Sequence, residues 1–541
     1  MFPFSNVTSV ISVAVVCWLS FLPSYQLIAQ SFELTLGGDE NETIAKIVSD
    51  GKDLYIIGNS NSYSAPTYKC LITKIRPDGT VLWAKVLGLN NVNRILSRGG
   101  WWDPQSNQLI GTFMMEQDAN PTIDDFMWAS VDSQGHLIST HFRGEEGDDH
   151  PFSISGDSMG NTLAVGWTRR PGFEDANMVL YSSSGSVVMA KSFSLSGTTA
   201  QGIYRTWAKG DAFMLLGRAS NAGGAMNSED PFLAKMDATG NIIWNQVYKT
   251  NSTYPHSKMA IPTPDGGTLI YDQIDSLNIS NLLLIKVDSL GTVSWSKEYA
   301  HSASMSCSNL SAYATIPDKG AAEKGFLLVG RIDDGVDTDA LLINLDEEGN
   351  LRSAKTFGGQ LNDYFRDLVL LDDSVYAVGS SASFSSDGNV DWYVVKEPVK
   401  HDTITDCGSP IEVAVSEINI FGFPLTPNIR DWGVDVPYAV NAAEVSSSLA
   451  SSINTCRTVG FEQLPSPVLT LHPNPAPGAF ILSSPEAAIQ SIELYDLTGR
   501  RLPAEIRLER NEAEVSSRYR GIALVRVQTD RGVWTQKVVM E

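Results

Sequence analysis

Basic residues are scarce in this chain. Lysine and arginine number 39 against 62 aspartates and glutamates, a formal net charge of -23 over 541 residues. Contact with nucleic acid needs clustered cations facing phosphate, so that class of partner is excluded. Cysteine is rare too: there are five, and none has the paired spacing of a zinc site. Only seven histidines occur, and there is no HExxH pair or phosphate-binding loop. The acidic runs GEEGDD and DDGVDTD lack the spacing of an EF-hand, so neither a metal nor a cofactor is expected. Long apolar runs are missing with one exception. Residues 1–30 carry no charged side chain, and their core, residues 10–22, has the length of a signal-peptide core. It is too short to span a bilayer comfortably. Cleavage after Ala29 is expected, giving a signal peptide over 1–29 and a mature protein without a transmembrane segment.

Glycine is abundant, with 44 residues, and it marks a repeat. Between residues 31 and 400 the sequence restarts every fifty to sixty residues, a period typical of propellers and solenoids. One marker is a glycine closing an apolar strand: Gly58, Gly111, Gly166, Gly217, Gly330 and Gly379, with Tyr271 at the fifth position. A second is a hairpin-turn glycine: Gly79, Gly135, Gly185, Gly240, Gly291 and Gly349, separated by 56, 50, 55, 51 and 58 residues. Each unit reads as four strands, because short alternating apolar runs lie between Asp, Asn, Gly and Ser clusters. Turns such as PDG, ATGN and EEGN supply the residue that a positive φ requires.

The first marker occurs seven times and the second six, because the last unit stops after WYVVKE. Residues 31–38 supply the missing strand. They are expected to pair beside that last strand, since an open sheet edge exposes unpaired backbone groups. The fold class predicted is all-β: a seven-bladed β-propeller over residues 31–400, closed by its N-terminal strand. A β-rich connector follows over 401–462, either packed on the propeller's side or forming a small domain. Its flanking Cys407 and Cys456 suit a disulfide in an exported protein.

The phrase LAKMDATGNIIW resembles the tryptophan-docking repeats of propeller quinoprotein dehydrogenases, but its Asp-to-Gly interval is one residue short. Trp83, Trp244 and Trp295 are therefore expected to pack between neighbouring blades rather than to mark an activity. Inner strands and the loops entering them line a propeller's channel. Arg94, Arg98, His150, Arg205, Lys258 and Arg366 fall there. They either converge on an anionic glycan or carboxylate, or pair with acids on adjacent blades.

The last seventy or so residues differ in kind. Residues 469–541 hold nine basic and nine acidic side chains, so the excess of acid lies upstream. They contain LHPNPAPGAFIL, IELYDLTGRRL and RGIALVRV, and end in KVVME. This stretch resembles the type A C-terminal sorting domain of the type IX secretion system of Bacteroidetes. The resemblance rests on Pro473, Asn474 and Pro475, then Tyr495, Asp496, Gly499 and Arg500, then Gly521, and finally Lys537, Val538 and Val539. Where the family commonly has tyrosine two residues after Gly521, this chain has Ala523. The resemblance implies a small antiparallel β-sandwich, contact with the secretion machinery and its surface sortase-like protease, and delivery outside the cell. The expected function is a secreted or cell-surface binding or adhesion propeller without catalysis, taking an extracellular glycan or protein ligand. The alternative is a secreted glycan-active hydrolase or lyase with its site in the channel.

Overall fold

The computed structural model describes residues 31–540 apart from 63–67, 90–91, 118–123, 145–146, 171–172, 196–200, 221–228, 251–258, 277–278, 315–323, 385–388, 400–406, 432–433, 436–441, 447–469, 485–487, 497–499, 510 and 530–531. The expected signal peptide, Lys258, Cys456 and Gly499 lie outside the described residues. The chain divides into two compact units, residues 1–459 and 460–541. No helix occurs among the described residues.

In the first unit the repeats fold into seven antiparallel sheets. The first sheet runs Glu42–Ser49, Leu54–Ser60, Lys69–Ile75, Val81–Leu89, each strand pairing with the next. The same up-and-down order recurs over residues 92–144, 148–195, 201–248, 259–300 and 304–357. The turn glycines carry the positive φ the sequence required, for example 86° at Gly79 and 90° at Gly240. The seventh sheet has three strands of its own, Asp363–Leu371, Ser374–Ser381 and Asp391–Pro398. Its fourth is Phe32–Leu36 from the start of the chain, paired so that Phe32 faces Lys396 and Leu36 faces Trp392.

Each junction between consecutive sheets holds its own apolar cluster. Tyr55 and Ile57 of the first sheet meet Phe113 and Met127 of the second, and matching clusters fill the next five junctions. The seventh cluster joins last to first: Phe32, Leu34, Leu36, Val378 and Trp392 pack on Ile44, Ile56 and Val86. The sheets therefore succeed one another around a closed ring, the arrangement of a β-propeller. Side chains on the fourth strands brace the turn of the following sheet. Trp83 donates its indole N–H to Ser133 O at 3.2 Å beside Gly135, and Trp244 and Trp295 lie against Gly291 and Gly349. Phe32 and Leu34 do the same at Gly79.

The connector forms a belt rather than a domain of its own. Its strands Ser409–Pro410, Ala414–Glu417, Gly422–Phe423, Pro427–Asp431, Val434–Asp435 and Ala442–Ser446 add a fifth, antiparallel strand to the sixth, fifth, fourth, third, second and first sheets in turn. The outer sheet edges are thereby covered one after another, in the reverse of chain order. Buried Asn245 fastens the belt at its middle, accepting from Leu425 N at 3.0 Å and donating to Leu425 O at 2.8 Å. Cys407 precedes the belt and is buried between the sixth and seventh sheets.

The second unit contains two four-stranded antiparallel sheets, with Phe480, Leu482, Val515, Leu494, Val525 and Val538 in one apolar cluster. Ala523 is fully buried in it, and Tyr519 packs against the same cluster, its hydroxyl donating to Ile522 O at 3.3 Å.

Candidate functional site

The strand-closing glycines position the site. In the first sheet Ile44 faces Gly58 and Lys46 faces Ile57, so Ala45 is an extra residue squeezed out of the ladder as a β-bulge. Such tightening needs a bare backbone opposite. A Cβ on Gly58 would sit 2.2 Å from Thr43 O, and one on Gly379 would sit 1.7 Å from Tyr364 O. The same bulge falls at Phe152 opposite Gly166, Tyr204 opposite Gly217, Ser308 opposite Gly330 and Arg366 opposite Gly379. In the second sheet it falls at Arg98, within two residues of the pairing with Gly111. The fifth sheet has Tyr271 in place of glycine, and there Met259 and Ala260 pair consecutively with no residue expelled.

Ala45, Arg98, Phe152, Tyr204, Ser308 and Arg366 all line one cavity of about 300 Å³ at the ring's centre, with Met259 from the fifth sheet. A second cavity, of about 440 Å³, is lined by the other halves of the same inner strands, including Trp101, Trp207 and Lys46. Arg205 borders both. Between them lies Asp367, buried, which takes Lys46 Nζ at 3.0 Å, Ile47 N at 2.7 Å and the Asn309 side-chain amide.

Among the described residues four cations line these cavities, Lys46, Arg98, Arg205 and Arg366, and no carboxylate does. Among the described residues no carboxylate lies within ion-pair distance of Arg98, Arg205 or Arg366. Two of these guanidiniums rest on thioethers: Arg98 Nη2 is 3.3 Å from Met114 Sδ, and Arg205 Nε is 3.0 Å from Met259 Sδ. Burial lowers the Arg98 pKa to about 10, and the charge of Arg366 pushes the same way. Burial also lowers Arg205 and Lys46, against the opposing pull of Asp367. The channel is therefore a concentrated positive site inside an acidic protein.

The sequence-derived candidates divide. Arg98, Arg205 and Arg366 converge as described. Arg94 pairs instead with Glu116 at 2.9 Å and Asp124 at 3.7 Å, and His150 Nε2 lies 3.3 Å from Asp124. His150 also stacks on Trp167 at 4.2 Å, and Arg169 covers the same indole at 4.9 Å. Ala45, Phe152, Tyr204 and Ser308 were not foreseen, although the glycine repeat marks the register at which each is expelled.

The landmarks of the C-terminal stretch also meet. Asn474 accepts Val539 N at 2.9 Å and donates to Lys537 O at 3.1 Å, so its side chain continues the ladder of the final strand. Tyr495 pairs with Leu524 and Arg501, and Asp496 Oδ1 accepts Arg500 N at 3.0 Å across the turn. Gly521 opens its strand at φ 126°, opposite Met540.

Among curated proteins none matches the chain. An acylaminoacyl peptidase in complex with Z-Gly-Gly-Phe-chloromethyl ketone is similar at TM-score 0.39 and 10% identity, over 66% of this chain and 52% of that one. The acylaminoacyl peptidase of Pyrococcus horikoshii is similar at TM-score 0.37, 10% identity and the same coverage. The β-propeller domain of the Trilobed protease from Pyrococcus furiosus follows at TM-score 0.34 and 9% identity, over 66% of this chain and 96% of that one. The aligned part of this chain spans about half the length of the two acylaminoacyl peptidases. The family model of the secretion system C-terminal sorting domain matches residues 470–541. That stretch addresses the β-propeller protein to type IX secretion, and so to the cell surface or the extracellular space.

Proposed function

We propose that the protein is a binding or adhesion module, a seven-bladed propeller whose ligand site is the channel cavity ringed by the bulged residues. The observation that carries this reading is the charge of the cavity: Arg98, Arg205 and Arg366 converge on it, and no carboxylate is among its described lining residues. An anionic glycan or an acidic group on a protein would relieve the repulsion among them. Blade closure by residues 31–38, a C-terminal β-sandwich, and removal of that domain by a surface protease belong to the same reading. So does a disulfide between Cys407 and Cys456. A glycan array probed with the purified full chain tests the function. Retention of acidic glycans without turnover is the expected result, and an array on which nothing is retained overturns it. Deleting residues 31–38 tests closure. The melting temperature of the whole ring should fall, and an unchanged value would refute a seventh blade completed by that strand.

The hydrolase or lyase alternative draws on one observation, the His150–Asp124 pair at 3.3 Å, two residues along the inner strand from Phe152. Product release from a bound glycan, abolished in His150→Ala, would establish it in place of simple binding.

A further inference from the structure

The chemistry of the bulge ring narrows the ligand class, on the footing that the channel is a binding site. We propose that this cavity takes a single anionic pyranose unit, with its acidic group between Arg98 and Arg366 and one face of its ring against Phe152 and Tyr204. The two arginines project from the second and seventh sheets on either side of Ala45, the smallest of the six expelled residues. That combination leaves space between two forked donors suited to a carboxylate or sulfate ester. A thioether is a weak acceptor, so Met114 orients Arg98 without neutralising it, and Met259 does the same for Arg205 at the cavity floor. Next to Arg98 around the ring, Phe152 of the third sheet and Tyr204 of the fourth meet with ring centres 4.9 Å apart and planes tilted by 52°. They give the cavity an aromatic wall beside its cationic one. A volume of about 300 Å³ is at the small end of ligand pockets and suits one ring rather than several.

The specificity-determining positions are therefore the ones that leave the ladder. A residue held in register is fixed by its partner strand, whether it lines the cavity, as Arg205 does, or packs between sheets. An expelled residue is free of that packing and can vary with the ligand. Sequence variation at 45, 98, 152, 204, 308 and 366 would change recognition without disturbing the ring.

Titration calorimetry on the full chain tests this with glucuronate, glucose 6-sulfate, glucose and inorganic sulfate. At least one anionic sugar should bind at least about tenfold more tightly than glucose and than inorganic sulfate, and more weakly as salt is raised. Which of the two anionic sugars is preferred assigns the acidic group. Arg366→Ala, at an exposed side chain, should weaken that binding at least about tenfold without changing the melting temperature. Phe152→Ala should weaken the anionic sugar while leaving any binding of inorganic sulfate unchanged. Glucose binding as tightly as the acids would overturn the charge assignment, and inorganic sulfate binding as tightly would overturn the ring assignment. Retention of neutral glycans on an array, with none of the four probes bound, would sink this inference and leave the binding function standing. No retention of any kind would remove both.

Discussion

Lys46 and Asp367 meet 3.0 Å apart although 321 residues separate them. The pair spans the junction between the first and seventh sheets at the waist of the channel. Asp367 is 1% exposed, and it also holds Ile47 N of the first sheet and Asn309 of the sixth. One carboxylate thus ties three inner strands together where the first and last sheets meet.

Asp367→Ala leaves Lys46 without its partner in a site where burial already lowers its pKa. Breaking a buried pair from one side costs about 3–5 kcal/mol. The urea midpoint of the variant should fall accordingly, whereas Asp367→Asn, which keeps part of the hydrogen bonding, should fall less. Equal midpoints for the wild type and the alanine variant would show that the waist does not hold the ring.

The Asp149 carboxyl has the opposite character. Burial, with Asp125 and Asp148 nearby, pushes it up to about 9. An unfolded aspartate titrates at about 3.9. Between those two values the folded chain binds more protons than the unfolded chain, so this group makes stability fall as pH rises. Below and above the window its contribution is flat. Asp149→Asn should remove that slope and raise the melting temperature most at roughly pH 8, with little change at roughly pH 4. Parallel melting curves for the variant and the wild type across that range would contradict the assignment.

The parts of this fold that were legible in the sequence are those where backbone geometry forces a residue choice. Turn glycines such as Gly79 and close-approach glycines such as Gly379 recur because no side chain fits, and their unequal count exposed the role of Phe32–Leu36. The belt was legible only as a β-rich connector, and its pairing with six sheet edges was not. Its strands are two to five residues long, Ala414–Glu417 is exposed throughout, and several of the apolar residues that pack on the sheets, such as Val413, Ile418, Ile420 and Leu425, fall between the paired segments, so no strand of ordinary length shows in the pattern. The site was half legible. Arg98, Arg205 and Arg366 could be placed on inner strands, but whether each stays in register depends on the partner strand. Arg94 and Arg98 differ only by four positions along one strand, yet one finds Glu116 and the other faces the cavity.

Asn474 provides a test of the export address that leaves most of the second unit intact. Its two hydrogen bonds to the final strand are solvent-exposed, so Asn474→Ala should cost about 1–2 kcal/mol on the usual scale for such bonds. That loss falls where the last strand meets the Pro473–Pro475 segment. Cells expressing the variant should deliver less protein to the surface, and deletion of residues 470–541 should leave it in the periplasm. Normal surface delivery of the deletion would contradict the sorting role of this stretch.

The belt gives the expected Cys407–Cys456 disulfide a physical purpose. Cys407 is buried beside the seventh sheet, two residues before the belt begins on the sixth. The belt advances one sheet for every five to eight residues and reaches the first sheet at Ala442–Ser446. Cys456 follows ten residues after Ser446, a length of chain that can reach across about 33 Å when extended. A bond between the two cysteines would link the start of the belt to the stretch following its last strand. Closing that loop of about fifty residues should contribute roughly 4 kcal/mol on the chain-entropy account. Peptide mapping of the secreted protein without reductant should recover the two cysteines on one linked fragment, and Cys456→Ser should lower the melting temperature to that of the reduced wild type. Ready alkylation of both thiols in the native secreted chain would show that the belt is held by its backbone pairing alone.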